Sequence, residues 1–549
     1  MKDYLNRVFN QQHTPQSQPI AGTNQIPNSA GGYTWAVSEW ERLNRFLILG
    51  SESGSYYASE QKLTIENAQN VLDCIQKDGS RTVAAIVEVS DNGIAPKNDP
   101  AIFALALAAS LGDENTRQLA LAALPRVCRT GTHLFSFVEY SKGMRGWGRS
   151  LRRAVGTWYM GMDHRKLAYQ VVKYRQRNGW THTDTLRKAH PNPINEIQGE
   201  IFKWVTRRDQ ITWKAQPEKP DNDALAFLWA FERVQETDDR NTLLKLIDQY
   251  DLPREALPTE WLKQAAVWEA LLEKMPMTAM IRNLGNMSKC GLLIPGSRAE
   301  KEVAKRLTDP VLLQQARIHP IAVLSALRVY AGGSALKGKA RYDPRTVQDK
   351  DWIPSARVLD ALDTAFELAF KHIEPTNKRT MLALDVSGSM GMGMIAGVAG
   401  LTPRDGSAAM AMVTARTEPN YLFTAFSTEM IPLKISAKMR LDDVVKAVSG
   451  LPFGGTDCAL PMQYALKNKL EIDTFVIYTD SETWFGKVHP AQALRDYREQ
   501  MGIPAKLIVV GMISNGFSIA DPNDAGMLDV VGFDSSAPAL MAEFARGSI

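Results

Sequence analysis

The chain has 549 residues, with 64 Lys and Arg against 60 Asp and Glu, a formal net charge of +4, 44% hydrophobic and 23% charged residues. That length exceeds one domain and predicts two or three, and the apolar fraction excludes a chain that is disordered as a whole. Taken as an average, the charge speaks against a strongly basic nucleic-acid binder and against an acidic tail protein, but an average hides patches.

The N-terminal decapeptide MKDYLNRVFN lacks the apolar centre of a signal peptide, and the longest apolar stretch, residues 101–111, is too short to span a bilayer. Cys74, Cys128, Cys290 and Cys458 are widely spaced and form no C-x-x-C pair, which speaks against a thiolate zinc site and for a reducing compartment. A soluble cytoplasmic protein without membrane association is expected.

Residues 1–34 read as an extended polar arm. Positions 10–34 are rich in Gln, Asn, Ser, Pro and Gly and cannot build a core. From 35 to 372 the pattern is helical. ENAQNVLDCIQKDG, DPAIFALALAASLGD, ENTRQLALAALPRVCR and TEWLKQAAVWEALLEKM carry apolar residues at three- and four-residue spacing. Helix starts are expected at residues 113–116 and 258–260, and no strand run is apparent in this region. Helix after helix over more than 300 residues predicts an α-solenoid of stacked pairs, without a strict repeat period.

Within this region, residues 126–215 hold eighteen Lys and Arg against six Asp and Glu, so this segment carries +12 and the remainder −8. On a helix from about 149 to 160, Arg149, Arg152 and Arg153 share one face, opposite Leu151, Ala154, Val155 and Trp158. On the next helix, Lys166, Gln170, Lys173 and Arg177 are spaced as a polar stripe opposite Ala168, Val171 and Val172. Two neighbouring cationic rows are an electrostatic footprint for phosphate. Gly143, Gly146 and Gly148 would let a loop approach a ligand. A solvated basic face is the plainer alternative, but the size of the imbalance and the dominance of Arg favour nucleic acid. Trp147, Trp158 and Trp180 are expected in the core rather than as stacking platforms. The string Gly333-x₄-Gly338-Lys339-Ala340 is close to a phosphate-binding loop, but Ala340 stands where Ser or Thr is required and a helix precedes it. It reads as a basic loop.

After about residue 375 short apolar runs (RTMLALDVSGSM, YLFTAFS, TFVIYTD, AKLIVVGM, MLDVVGFD) alternate with helical stretches. This predicts a doubly wound α/β domain with a parallel sheet over 375–549, whose ligands sit at the carboxyl ends of the strands. A last helix at 538–544 is expected to pack back on the helical region. Asp385, Ser387 and Ser389 follow the first strand as D-x-S-x-S, Thr456 stands in a Gly-Gly-Thr-Asp loop, and Asp480 ends another strand. Two carboxylates and three hydroxyls make a hard, all-oxygen set suited to Mg²⁺. This set resembles the metal-ion-dependent adhesion site of von Willebrand factor A domains. Loop Ser, Thr and Asp that merely cap helices are the alternative. A phosphoaspartate nucleophile is disfavoured because Ser387 occupies the place of a second Asp, and no nucleophile–base arrangement is apparent. His489 is expected to cap or pack. No catalysis is expected.

The strings KYRQRNGWTHTDTLRKAHP, GRSLRRAVGTWY and the tail from GGTDCALPM through IPAKLIVVGMISNGFSIADP resemble the Ro autoantigen family, which pairs a TROVE domain with a von Willebrand factor A domain. The resemblance covers nearly the whole chain and is of the bacterial type. It implies a TROVE domain of HEAT-like repeats closed into a ring. It implies Y or Y-like noncoding RNA on the basic outer surface and single-stranded 3′ ends of misfolded RNA in the hole. In bacterial members it implies a 3′ exoribonuclease tethered through RNA. Matched positions carry Y RNA contacts over to Lys173, Arg177 and His190; Arg145, Arg149, Arg152, Arg153 and Lys166 are further candidates. The metal ligands carry over as Asp385, Ser387, Ser389, Thr456 and Asp480. The Gly- and Met-rich loop GMGMIAGVAG departs from the pattern beside the metal site. A monomeric RNA scaffold that binds no DNA is expected. The alternative is a protein-interaction module that engages an acidic ligand through the metal.

Overall fold

The computed structural model describes residues 13–52, 59–334, 351–370, 374–395, 398, 400–451 and 454–548. The near-phosphate-loop string at Gly338, Lys339 and Ala340 lies outside the described residues.

Helices follow one another from Glu39 to Leu368. Caps set their starts: Asp113 accepts the Thr116 amide at 2.8 Å and opens the helix Glu114–Ala122. The helix Asp99–Leu111 is buried on nearly every side, packed between Glu60–Asp91 and Gly131–Arg145, which explains its unbroken apolar run. Neighbours in sequence pack as pairs, as in Pro320–Gly332 against Ala356–Leu368. Two local expectations fail. The segment after Pro258 forms only a 3₁₀ turn at Trp261–Lys263, and the α-helix begins at Ala265. The helix carrying Lys166 ends at Lys173, and a two-stranded hairpin follows, Gln176–Arg177 paired with Trp180–Thr181. Its turn, Asn178 and Gly179, has φ of 51° and 77°. Two successive positive φ values make the turn type that suits a hairpin.

Early and late parts of the helical run meet. A Cβ built on Gly93, beyond the second helix, would lie 3.0 Å from Arg317 Cβ. Pro96 and Lys97 line one cleft with Ile281, Ile318 and Ile321 from the last helices.

The second domain is a six-stranded sheet in the order Met527–Val531, Lys506–Gly511, Thr474–Thr479, Thr380–Asp385, Tyr421–Phe426, Met430–Pro432. The first five are parallel and the last is an antiparallel edge. The two central strands are buried at every residue, as a sheet covered on both faces requires. Alternate residues divide between two cores. Leu382, Leu384, Val476 and Tyr478 join the core that continues into the helical region; Met381, Ala383, Phe475 and Ile477 face the other.

Polar and ionic ties hold the domains together. Arg45, 1% exposed, donates to Asp529 Oδ2 at 2.5 Å and to Phe517 O at 2.9 Å. Arg416 pairs with Asp363 at 2.9 Å and with Glu367. His319 Nε2 lies 2.9 Å from Phe533 O.

Both chain ends depart from expectation. The polar segment is not a free arm: from residue 13 it lies on the sheet domain. Strand Tyr33–Ala36 pairs antiparallel with Ile26–Pro27 and with Phe517–Ser518, and Trp35 is 2% exposed in the same core as Ile477 and Val509. Its own composition supplies no core, but a neighbour's core accepts its one large ring. The last helix, Ala537–Arg546, packs on the sheet of its own domain rather than on the helical region, with Met541 and Ala542 against Thr474, Val476 and Ile508. Among the described residues no helix is long and apolar enough to cross a membrane.

Candidate metal centre and candidate nucleic-acid interface

The central strands Thr380–Asp385 and Thr474–Thr479 run side by side, with Leu384 opposite Tyr478. Their carboxyl ends therefore deliver Asp385 and Asp480 to one edge of the sheet. Asp385 is fully buried; its Oδ1 accepts the Ser387 amide at 2.9 Å and its Oδ2 accepts the Thr479 hydroxyl at 2.6 Å. Ser387 and Ser389 hydroxyls are 3.0 Å apart, and Asp480 Oδ1 accepts the Glu482 amide at 3.0 Å. Thr456 arrives from the Gly-Gly-Thr-Asp loop. Its carbonyl accepts the amides of Trp484 and Phe485, both at 3.1 Å, and its buried Oγ1 has no hydrogen-bond partner.

Burial raises the Asp385 carboxyl above its ordinary range, and burial together with the Asp385 charge raises Asp480. The nearest guanidinium, Arg404, is itself occupied by the carbonyls of Val386 and Ser387, the latter at 3.1 Å. Two buried carboxylates that repel each other and three hydroxyls, that of Thr456 without a hydrogen-bond partner, form a donor set that could hold a small hard cation. Among the described residues no three His, Cys, Asp or Glu side chains gather as a ligand group, so a cation here would rely on hydroxyls. Trp484 and Phe485, 38% and 50% exposed, stand edge to face at 5.7 Å beside the site. His489 caps the helix Pro490–Met501, with its Nε2 2.7 Å from Gln18 O. Thr479, Arg404 and the aromatic rim escaped the sequence reading, because each reaches the site from a different element, a neighbouring strand, a helix and a loop.

The cationic residues are regrouped relative to the sequence reading. The helix Arg149–Met160 presents exposed Arg149, Arg152 and Arg153, and buries Leu151, Val155 and Trp158. None of the three arginines has a carboxylate partner among the described residues. This helix packs on His182–Ala189, while the helix His164–Lys173 packs on Asp223–Glu236. Gln170 does not belong to an outward stripe: it is 5% exposed, accepts the Gly131 amide at 2.9 Å and donates to Arg129 O at 3.2 Å. Lys166 is exposed; Lys173 is half-buried and donates to Tyr169 Oη at 2.9 Å. Arg177 leaves the helix for the hairpin, 3.9 Å from Asp99.

A second group collects around the first arginines. Lys142 and Lys188 sit over the Trp180 ring, at 5.4 and 6.0 Å. Trp147 stacks on Trp180 at 5.8 Å and donates to Lys188 O at 3.2 Å. Trp180 and Trp158 are buried, as expected for core residues; Trp147 is half-exposed. Arg145 is exposed at the end of the same helix as Lys142, donating to Ser110 O at 3.0 Å. His190 is exposed and left-handed, φ 46°, at the end of the helix bearing Lys188. Pro191, the next residue, faces Gly156, one turn beyond Arg152 and Arg153. Arg145, Arg149, Arg152, Arg153 and His190 therefore share neighbouring elements with Lys142 and Lys188. Those two lysines were legible only as charge, since no single helix carries both.

The TROVE domain family model matches residues 26–346, and the Ro60 vWA domain model matches residues 379–545. The RNA-binding protein RO60 of Deinococcus radiodurans is 41% identical over 551 residues, spanning 100% of both chains. The RNA-binding protein RO60 of Caenorhabditis elegans is 35% identical over 606 residues, spanning 97% of this chain and 92% of that protein. The crystal structure of the Deinococcus radiodurans RO (RSR) protein matches with a TM-score of 0.67 at 41% identity, covering 93% of this chain and 100% of that one.

Proposed function

The chain belongs to the Ro60 family, in which a TROVE domain is joined to a Ro60-type von Willebrand factor A domain, and from that premise we propose that it is a non-catalytic RNA-binding scaffold of small noncoding ribonucleoproteins. The carrying observation is the set of exposed, carboxylate-free arginines on Arg149–Met160, set beside two lysines over a stacked Trp pair. Guanidinium groups without internal partners pair readily with phosphate, and a half-exposed indole offers a face to a base. The RNA is a structured Y or Y-like RNA, held on this face.

In this reading the helical run closes into a ring, supported by the approach of Gly93 to Arg317. Its hole would receive single-stranded 3′ ends of misfolded RNA, and a 3′ exoribonuclease would be recruited through the RNA, in the cytoplasm. The test is to purify the full chain at physiological salt and sequence the RNA that accompanies it. Enrichment of one or a few small structured RNAs is expected; recovery of only bulk RNA in proportion to abundance refutes the reading.

A second reading concerns the A domain. Asp385, Ser387, Ser389, Thr456 and Asp480 would hold Mg²⁺, supported by the orphaned Thr456 Oγ1 and the two mutually repelling carboxylates. When bound, Mg²⁺ supplies a hard positive charge with an open coordination position. The chain's residues then orient a partner: Trp484 and Phe485 offer an apolar rim to the residues that flank an acidic side chain. Protein recovery that is lost with chelator and in Asp385→Ala is expected; the same proteins with and without chelator refute it.

A further inference from the structure

We propose that Gln16, in the polar N-terminal segment, is a positioning residue for the metal centre of the distant A domain. This rests on the reading of Asp385, Ser387, Ser389, Thr456 and Asp480 as metal ligands. Two of those ligands sit on separate loops. Thr456 belongs to the Gly-Gly-Thr-Asp loop, and Asp480 opens the segment that continues through Thr483 to Val488.

The Gln16 side chain is fully buried, and its carboxamide joins the two loops. Its Nε2 donates to Asp457 Oδ1 at 2.7 Å, beside Thr456, and to Val488 O at 2.7 Å. Its Oε1 accepts the Thr483 hydroxyl. Thr483 Oγ1 in turn lies 3.3 Å from Thr456 O and accepts the Cys458 amide at 3.2 Å. Only a carboxamide supplies two donor hydrogens and an acceptor in one plane; a carboxylate would face Asp457 with like charge.

The rest of the segment fixes Gln16 in place. The Gln16 amide donates to Gly486 O at 2.9 Å, and Tyr33 N donates to Gln16 O at 2.8 Å. Asn28 Nδ2 donates to Thr483 O at 2.7 Å, and the Ala30 amide donates to Glu482 Oε2 at 3.0 Å. The fit is close: a Cβ on Gly32 would lie 1.9 Å from Thr483 O, and one on Gly486 would lie 2.3 Å from Gln16 Nε2. The spacing of Thr456 from Asp480 is therefore set by a residue more than 400 positions away in sequence. Groups that orient metal ligands in this way typically change affinity by about 10–100-fold when removed.

The test measures Mn²⁺ binding to the full chain by electron paramagnetic resonance, for wild type, Gln16→Ala, Thr483→Val and Asp385→Ala. One Mn²⁺ is expected on the wild type and none on Asp385→Ala. Gln16→Ala and Thr483→Val are expected to bind about tenfold more weakly or worse, with an altered zero-field splitting, while their RNA affinity stays at the wild-type value. Should Gln16→Ala fail to fold, Thr483→Val, which loses the same hydrogen bond at constant volume, decides. Wild-type Mn²⁺ affinity and spectrum in the folded variant overturn the positioning role and leave the metal reading standing. Equal binding by wild type and Asp385→Ala overturns the metal reading itself, and the positioning role with it.

Discussion

Replacing Arg152 and Arg153 together by alanine removes two cations from a group that also holds Lys142, Arg145, Arg149 and Lys188. Both side chains are exposed and lack a carboxylate partner among the described residues, so the fold loses no ion pair. The change therefore acts on RNA alone. Each phosphate contact contributes about 0.7–0.9 to the slope of log K against log salt. Six such contacts predict a slope near −4 to −5, and the double variant should be shallower by about 1.4–1.8. Extrapolated from 1 M to 0.15 M salt, each contact is worth about 0.7 log units, so the pair is worth about 30-fold, or about 2 kcal/mol. The assay is filter binding of the copurifying RNA from 50 to 300 mM KCl. A loss of affinity that is the same at every salt concentration, or no loss at all, refutes the reasoning. The first would point to an altered shape rather than to lost phosphate contacts.

Three further outcomes are expected. Arg45→Met leaves Asp529 without its cation and Phe517 O without a donor, and should lower stability in urea unfolding by about 3–5 kcal/mol, the usual effect of breaking a buried pair. His182 and His319 are fully buried and held neutral, with burial pushing both down from about 6.5 to about 4. The unfolded chain binds more protons between those values, so stability is complete above pH 6.5 and falls towards pH 4 by about 3 kcal/mol for each histidine; His319→Gln should flatten a plot of melting temperature against pH. Mg²⁺ at a hundred times its dissociation constant should stabilise the wild type by about 2.7 kcal/mol and leave Asp480→Ala unmoved in calorimetry.

The parallel strands were legible because each is a short apolar run ending in a small or acidic residue, and a sheet buried on both faces leaves no other pattern. The two carboxylates of the candidate metal site were legible for the same reason: strand ends fix where Asp385 and Asp480 must stand. The hairpin at 176–181 was not read, because the four-residue spacing of Lys173 and Arg177 imitates a helix. The Asn178-Gly179 pair was the available signal, and its left-handed preference outweighs that spacing. Gln170 was misplaced because side-chain polarity does not say whether a buried backbone amide, here that of Gly131, needs an acceptor. The polar segment's docking and the final helix's seat are contacts between distant stretches, and a local pattern shows that a face is apolar without showing what covers it.

The strand Tyr33–Ala36 has its outer partner at Phe517–Ser518, some 480 residues later. During synthesis at roughly 5–20 residues per second, that partner emerges about 25–100 seconds after the strand does. For most of this interval Trp35 has no core to enter and Gln16 no loops to join. The helical region, whose contacts lie mostly between helices one to three places apart in the chain, can fold meanwhile. The sheet domain therefore completes last, by drawing in a segment that left the ribosome first, and a chain truncated before residue 456 would leave that segment without the loops that bind Gln16.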